Sequence, residues 1–496
     1  MSSDTSKFPD QVYRDTVLAP LFDGVKTHYA ISMAAINKAH LMMLHNCEIL
    51  KTTQAVSIAK ALQAIDEELD VNALQYTGEY EDYFFLVESE LKDRLGADLS
   101  GMLHTARSRN DMDHTVFKMA LRVRCDSLLD LALSLARVLQ QRIHSDRQTL
   151  IVAYTHGQPA QPDTFGHYLA AVLEVLISDM QRLCTARELL DLCPMGAAAI
   201  TTSGFPIDRE LIANLLGFSE PKRNSYGCIA SVDYITGLYS AIKLLFIHLG
   251  RVIQDMAFWS SFEVGQLQVP DSLVQISSIM PQKRNPVPIE HLRHLASVTA
   301  GRCDMIVNTM HNTPFTDMND SEGEVQAAGY AAFDSGARVL KLFTSFLRAV
   351  TINNEQVSLN ADRACITITE LADTLVRREN LSFRQAHEIA AATANEIIRQ
   401  GITLQAGYKA FSRAYDAAIG HRTSLDEHEF MTAVSLQHFV EVRDRFGGPG
   451  VTAMKEAIGH YEKCINQLDN SITTGHERIA LAETTRHSAF KELLEQ

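Results

Sequence analysis

Several things are missing from this chain of 496 residues, and each absence narrows what it can be. There is no Lys/Arg-rich run, and the net charge is −15. Nucleic acid and anionic membrane surfaces are met by basic patches, so neither partner is expected. A locally basic pocket for a small anion stays open. No stretch reaches the roughly 18–20 consecutive apolar residues of a membrane span. The opening MSSDTSKFPDQVYRD is polar and mixed in charge, without the apolar centre of a signal peptide. The eight cysteines (47, 125, 184, 193, 228, 303, 365, 464) form no CxxC pair, and no clustered Cys/His spacing suits zinc. Reduced, mostly buried thiols and a cytoplasmic location are the expectation.

Proline is also scarce where it would do damage. None lies between Leu21 and Tyr154, and none between Phe315 and Gly448. Proline breaks helix interiors, so both segments are free to be helical. By contrast Pro270, Pro281, Pro286 and Pro288 fall close together and punctuate a loop. Strand-like alternation is rare, and no internal repeat is visible.

What is there is helical periodicity. Ile235, Leu238, Ile242, Leu245, Leu249, Val252, Met256 and Trp259 alternate spacings of three and four. That is a heptad seam held for more than three heptads. Val116, Met119, Val123, Leu128, Leu131, Leu135 and Val138 form a second stripe with one slip of register. Phe165, Leu169, Val172, Leu176, Met180 and Leu183 form a third. Narrow seams on long helices pack on other long helices. The stripes predict an all-α fold around an extended bundle, completed by oligomerisation.

Four polar clusters interrupt this pattern. HTARSRND (His104–Asp111) offers arginine forks suited to carboxylates, with Ser108 and Asn110 as neutral donors. It also fits a helix N-terminus with solvated arginines. THGQPAQP (Thr155–Pro162) places His156 among glutamines, a polar setting for an imidazole. NSYGCIASVDY (Asn224–Tyr234) reads as a helix cap. QISSIMPQKRNP (Gln275–Pro286) has two serines, Lys283, and an Asn-Pro that opens a helix, with Glu290 in its first turns. A helix N-terminus beside a lysine is an arrangement for binding a carboxylate and stabilising charge made next to it.

Together these clusters resemble the argininosuccinate lyase family of the aspartase/fumarase superfamily. SSIMPQKRNP resembles the signature SSxMPxKxNP followed by Glu. HTARSRND is similar to HTGRSRND, and THGQPAQP to THLQRAQP. PMGAAAI…DREL (Pro194–Leu211) is similar to PLGSGAI…DREL, and FRQAHE (Phe383–Glu388) matches a C-terminal motif. The resemblance implies a three-domain, all-α subunit: an N-terminal helical domain (1–110), a central long-helix bundle (111–360) and a C-terminal helical domain (361–496). It implies a homotetramer with a twenty-helix core, whose active sites each draw on three chains. It implies no cofactor and no metal.

The implied reaction is reversible β-elimination of an amine from an N-substituted aspartate, giving fumarate. By the resemblance Ser277 is the base, and Lys283 and Asn285 hold the carboxylate and developing charge. His156, oriented by Glu290, assists proton transfer with Thr155 beside it. Ser108, Arg109, Asn110, Gln161, Ser278 and Met280 bind substrate. A non-catalytic structural role, as in the crystallins of this family, is the reading from another class.

The chain departs from the family pattern in telling places. Ile276 stands for the glycine before the serines, Ala106 for the glycine of HTGRSRND, and Gly157 and Pro159 for Leu and Arg. The family's Tyr, Gln and Lys around the arginine half align with Asp317, Glu322 and Val325, and a His aligns with Phe84. A lost lysine and two gained acids favour a cationic amine over an α-carboxylate. An aminopolycarboxylate such as ethylenediamine-N,N'-disuccinate is therefore the expected substrate, with argininosuccinate as the alternative.

Overall fold

The computed structural model describes residues 8–496. It is 71% helical, and its strands form only short two-stranded ladders among the described residues. The all-α expectation holds.

An N-terminal group of helices includes Ala30–Asn46 and Thr52–Glu68. The first is apolar almost all round, with Ile36, Leu41, Met43 and Leu44 fully buried, as a helix enclosed on every side must be. The long helices follow: α1 (Arg109–Ser145), a hairpin of β1 (Leu150–Thr155) and β2 (Gln158–Thr164), α2 (Phe165–Glu188) and α3 (Asp233–Trp259). Then come the ladder β3 (Gln275–Ile276) with β4 (Arg284–Asn285), α4 (Val287–Thr309), α5 (Gly323–Ala349) and finally α6 (Val451–Glu495). Helices α1 to α5 each pack on two others, in the order α1–α2–α3–α4–α5 and back to α1. The bundle is therefore a closed ring of five.

The stripe through α2 is buried at every position. The α3 seam is buried except at Val252, where Ile253 takes its place. A straight helix drifts about 20° per heptad against a strict seven-residue repeat, so the contact moves one residue along. The α1 stripe needs correction at Val123, which is 60% exposed. There the buried face runs through Ala120, Leu121 and Cys125 to Leu128, because α1 changes neighbours along its length. By length and composition α3 could cross a membrane, which the residue run did not suggest, but its apolar seam is spent on α2 and α4. Two glycines of α5 admit α3 side chains. A Cβ on Gly336 would meet the Phe246 ring at 2.7 Å, and one on Gly329 would clash with the Tyr239 hydroxyl.

Residues 361–496 behave as two parts. Leu371, Leu375, Ile389, Phe411 and Phe430 build a small separate core. Helix α6 leaves it and runs back along α1 and α2, where Ile465, Leu468 and Ile472 join the main core.

Candidate active site

The first cluster is built by the start of α1. Ser108 is the N-cap in an extended conformation, and the Asp111 carboxylate accepts its backbone N–H at 2.8 Å, completing a capping box. Asp111 is buried and also accepts the backbone N–H groups of Gly196 (2.9 Å) and Ala198 (3.0 Å). The PMGAAAI segment is thereby tied to this helix end. Arg107 is buried, donates to Asn37 Oδ1 at 2.6 Å and lies over the Phe84 ring. It is a structural arginine. Phe84, where the family pattern has His, forms the floor beneath it.

Arg109 points elsewhere, pairing with Asp82 (2.6 Å) and Glu81 (3.0 Å) over the Phe85 ring. Asn110 donates to Asp317 Oδ2 at 2.6 Å, which brings the 313–325 segment against the α1 terminus. Between them lies a cavity of about 620 Å³. Seven carboxyl groups line it, from Glu81, Asp82, Asp113, Asp317, Asp320, Glu322 and Glu324, against one guanidinium, Arg109, among the described residues. The crowding shows in the acidities. Burial and the Asp317 carboxylate push Glu322 up to about 7. Burial, with the Glu322 and Asp82 carboxylates, holds Asp113 well above the usual carboxylate range. Val325 carries no charge and packs on the core.

The second cluster is a hairpin tip. Thr155 pairs with Gln158 across a two-residue turn of His156 (φ 55) and Gly157 (φ 72). Two positive φ values define the tight turn whose twist matches its strands. Gly157 suits the second position, and His156 accepts the strained one, which throws its imidazole outward. Thr155, His156 and Gln161 are all exposed.

The third cluster is the segment held by β3 and β4. Gln275 pairs with Asn285 and Ile276 with Arg284, pinning both ends of the loop. Inside it the Ser277 Oγ accepts the backbone N–H of Met280 at 3.0 Å and of Ile279 at 3.4 Å. Donors aimed at a hydroxyl oxygen favour its ionised form. Ser278, Met280 and Lys283 are exposed, Asn285 is half-buried, and Pro286 caps α4 as the sequence predicts. Glu290 sits in the first turn of α4, exposed.

One chain does not unite these clusters. No hydrogen bond or ion pair joins His156 to Glu290, or Ser277 to Lys283, among the described residues, and none links the hairpin tip to the α1 terminus. The structure brings Ser108, Arg109, Asn110, Asp317 and Glu322 together and leaves the other two sets open to solvent. One lining residue escapes a reading by motif: Asp113. It follows Asn110 by three positions, so both share one face of α1, and that spacing was the available signal.

Comparison with known proteins bears directly on this arrangement. A family model described as "Lyase" matches residues 12–301, and one described as "Argininosuccinate lyase C-terminal" matches 365–441. The protein named "Argininosuccinate lyase 2" of Agrobacterium fabrum is 57% identical over 484 residues, covering 97% of this chain and 96% of the relative. The chain belongs to the argininosuccinate lyase family. "Argininosuccinate lyase 1" of Shouchella clausii is 30% identical, covering 97% and 95%. Among solved structures, an EDDS lyase in complex with formate aligns with a TM-score of 0.85 at 25% identity, covering 96% of both chains. A variant of EDDS lyase with bound fumarate aligns equally well. The chain is thus a carbon–nitrogen lyase of the aspartase/fumarase superfamily, with its three-domain, all-α fold and a small-molecule substrate.

Proposed function

We propose that the protein catalyses reversible β-elimination of a cationic amine from an N-substituted aspartate, releasing fumarate. The observation that carries this is the Ser277 turn, whose two loop N–H groups point at the hydroxyl oxygen. A serine is a weak base until ionised. Amide donors, with the charge of Lys283 on the same loop, supply the stabilisation its alkoxide needs. Ser277 then removes a proton from the carbon beside a carboxylate, and the resulting charge spreads onto that carboxylate. Lys283 and Asn285 hold it there. At 4 Å and an effective dielectric near 20, one such charge pair contributes about 4 kcal/mol. The C–N bond breaks, its electron pair leaves with the nitrogen, and fumarate forms. His156 and Glu290 would handle the proton on the nitrogen side, with Thr155, Ser108, Arg109, Asn110, Gln161, Ser278 and Met280 around the substrate.

A homotetramer completes such a site by adding the His156 tip and the Ser277 loop of neighbours to the α1 terminus. A groove of about 1150 Å³ along α2, α3 and α4 supports that assembly. It exposes Val175 and Ile247, and Val298 and Met305 stand out on α4. Exposed apolar area of this kind marks a contact surface.

Seven carboxyls against one guanidinium favour a cationic amine; ethylenediamine, with two ammonium charges and no carboxylate, fits best as the amine added to fumarate, the first addition toward an aminopolycarboxylate such as ethylenediamine-N,N'-disuccinate. The 57% identity to a protein named argininosuccinate lyase supports a second reading, with arginine as the amine. Fumarate absorbance followed with ethylenediamine, arginine and a wider amine panel separates them. Faster loss with ethylenediamine supports the first reading, and loss with arginine alone overturns it. No loss with any amine overturns the lyase chemistry itself.

A further inference from the structure

We propose that His114, Asp317 and Glu322 form a binding site for a divalent transition-metal ion in the acidic cavity. One donor atom from each of the three lies within 4.8 Å of the others. His114 sits on α1, more than two hundred positions from Asp317 on the 313–325 segment and Glu322 at the cap of α5, which is why no sequence spacing announces the set. The resemblance to the family implied no metal, so the inference departs from it. The site does not depend on which amine the enzyme uses.

The strongest sign is a pair of facing atoms that lack partners. His114 is completely buried, and among the described residues neither its Nε2 nor Asp317 Oδ1 makes a hydrogen bond. The two are 3.6 Å apart, too far for a good hydrogen bond. On the other side of the ring, His114 Nδ1 lies 3.3 Å from the Tyr234 hydroxyl. A proton on Nδ1 shared with that hydroxyl leaves the Nε2 lone pair aimed at the carboxylate. Two buried acceptors facing each other cost free energy unless something positive stands between them. The Asn110 amide grips the other oxygen, Asp317 Oδ2, at 2.6 Å and so fixes the carboxylate's orientation. Metal-binding histidines and carboxylates are held by second hydrogen bonds of this kind.

The spacing discriminates between cations. With bonds of about 2.1 Å, two tetrahedral ligands of one ion lie about 3.4 Å apart. Two acceptors of one ammonium, each about 2.8 Å from its nitrogen, lie about 4.6 Å apart. The His114–Asp317 pair, at 3.6 Å, matches the ion, with the Glu322 carboxylate within 4.8 Å of both. An imidazole with two carboxylates suits Mn²⁺, Co²⁺ or Zn²⁺ better than Mg²⁺ or Ca²⁺. Three protein ligands leave a position open, and Asp317, whose side chain is 27% exposed, faces the cavity. The other carboxyls there stay available to an amine.

The test uses the full-length protein, stripped with a chelator and then titrated with Co²⁺, Mn²⁺ and Zn²⁺ by calorimetry, with Co²⁺ also followed by its visible absorption. One ion per chain is expected, with affinity at least tenfold lower in His114→Asn and in Asp317→Asn. Asp317→Asn alters a partly exposed loop residue and keeps a partner for Asn110, so it decides the matter should His114→Asn not fold. His167→Asn, at a distant His–Asp pair, is the control and should bind normally. Absence of saturable binding overturns the proposal, as does affinity unchanged in Asp317→Asn. Binding of methylammonium but of no metal, lost in Asp317→Asn, also overturns it and assigns the triad to the amine. Because the readout is binding, it is independent of whether fumarate is consumed.

Discussion

His40 should make the protein acid-sensitive in a defined window. It lies on the buried helix Ala30–Asn46, completely enclosed. Its Nε2–H donates to the Thr105 carbonyl at 2.9 Å, while Nδ1 has no partner among the described residues. Burial first, and the Arg107 guanidinium second, lower its pKa from 6.5 to about 3. The folded state therefore binds fewer protons than the unfolded state between those two values. Stability is unaffected by His40 above pH 6.5 and falls as pH drops below it. Each pH unit is about 1.4 kcal/mol, so by pH 5 the loss is about 2 kcal/mol. His40→Gln keeps a donor for Thr105 and removes the titration. Urea unfolding midpoints of both proteins, measured at about pH 7.5 and pH 5, give the comparison. The wild type should lose about 2 kcal/mol more than the variant over that interval. Parallel pH dependences would refute the reasoning. Thr105 anchors the turn that leads to Arg107–Asn110, so the same titration should loosen the substrate side of the α1 terminus.

Two further outcomes follow from contacts in the bundle and the acidic cavity. Gly329→Ala puts a methyl into the space of the Tyr239 hydroxyl, and overpacking of this kind costs about 1–3 kcal/mol, seen as a lower unfolding midpoint. Arg109→Met removes the one guanidinium that lines the acidic cavity among the described residues and frees Glu81 and Asp82; the KM for fumarate should rise at least tenfold with a smaller change in kcat.

Much of the fold was legible because it rests on local rules. The α2 and α3 seams read directly as buried faces, and Asn285-Pro286 marked the start of α4. Val123 misled because a heptad count assumes one partner per helix, whereas α1 passes several. The hairpin at His156 and Gly157 hid inside a motif read for its chemistry, since only backbone angles reveal that both residues have positive φ. The substrate-side set was half legible. Ser108, Arg109 and Asn110 were named through the resemblance, and packing adds why: Arg107 turns to the interior while Arg109 turns to the cavity. His114 was invisible because its partners, Asp317 and Glu322, come from a distant part of the chain. A site assembled by tertiary packing leaves no spacing to read.

The central claim is that Ser277 is the base of a fumarate-forming lyase. The direct measurement is turnover of Ser277→Ala against wild type, with fumarate and whichever amine the wild type consumes, after both proteins show the same helicity and oligomeric state. The side chain is half-buried and its only described contacts are the two loop amides, so the variant should fold. Proton-transfer groups contribute about 10²–10⁴ in rate, and kcat should fall by at least 10²-fold. A folded Ser277→Ala protein with wild-type turnover would contradict the account.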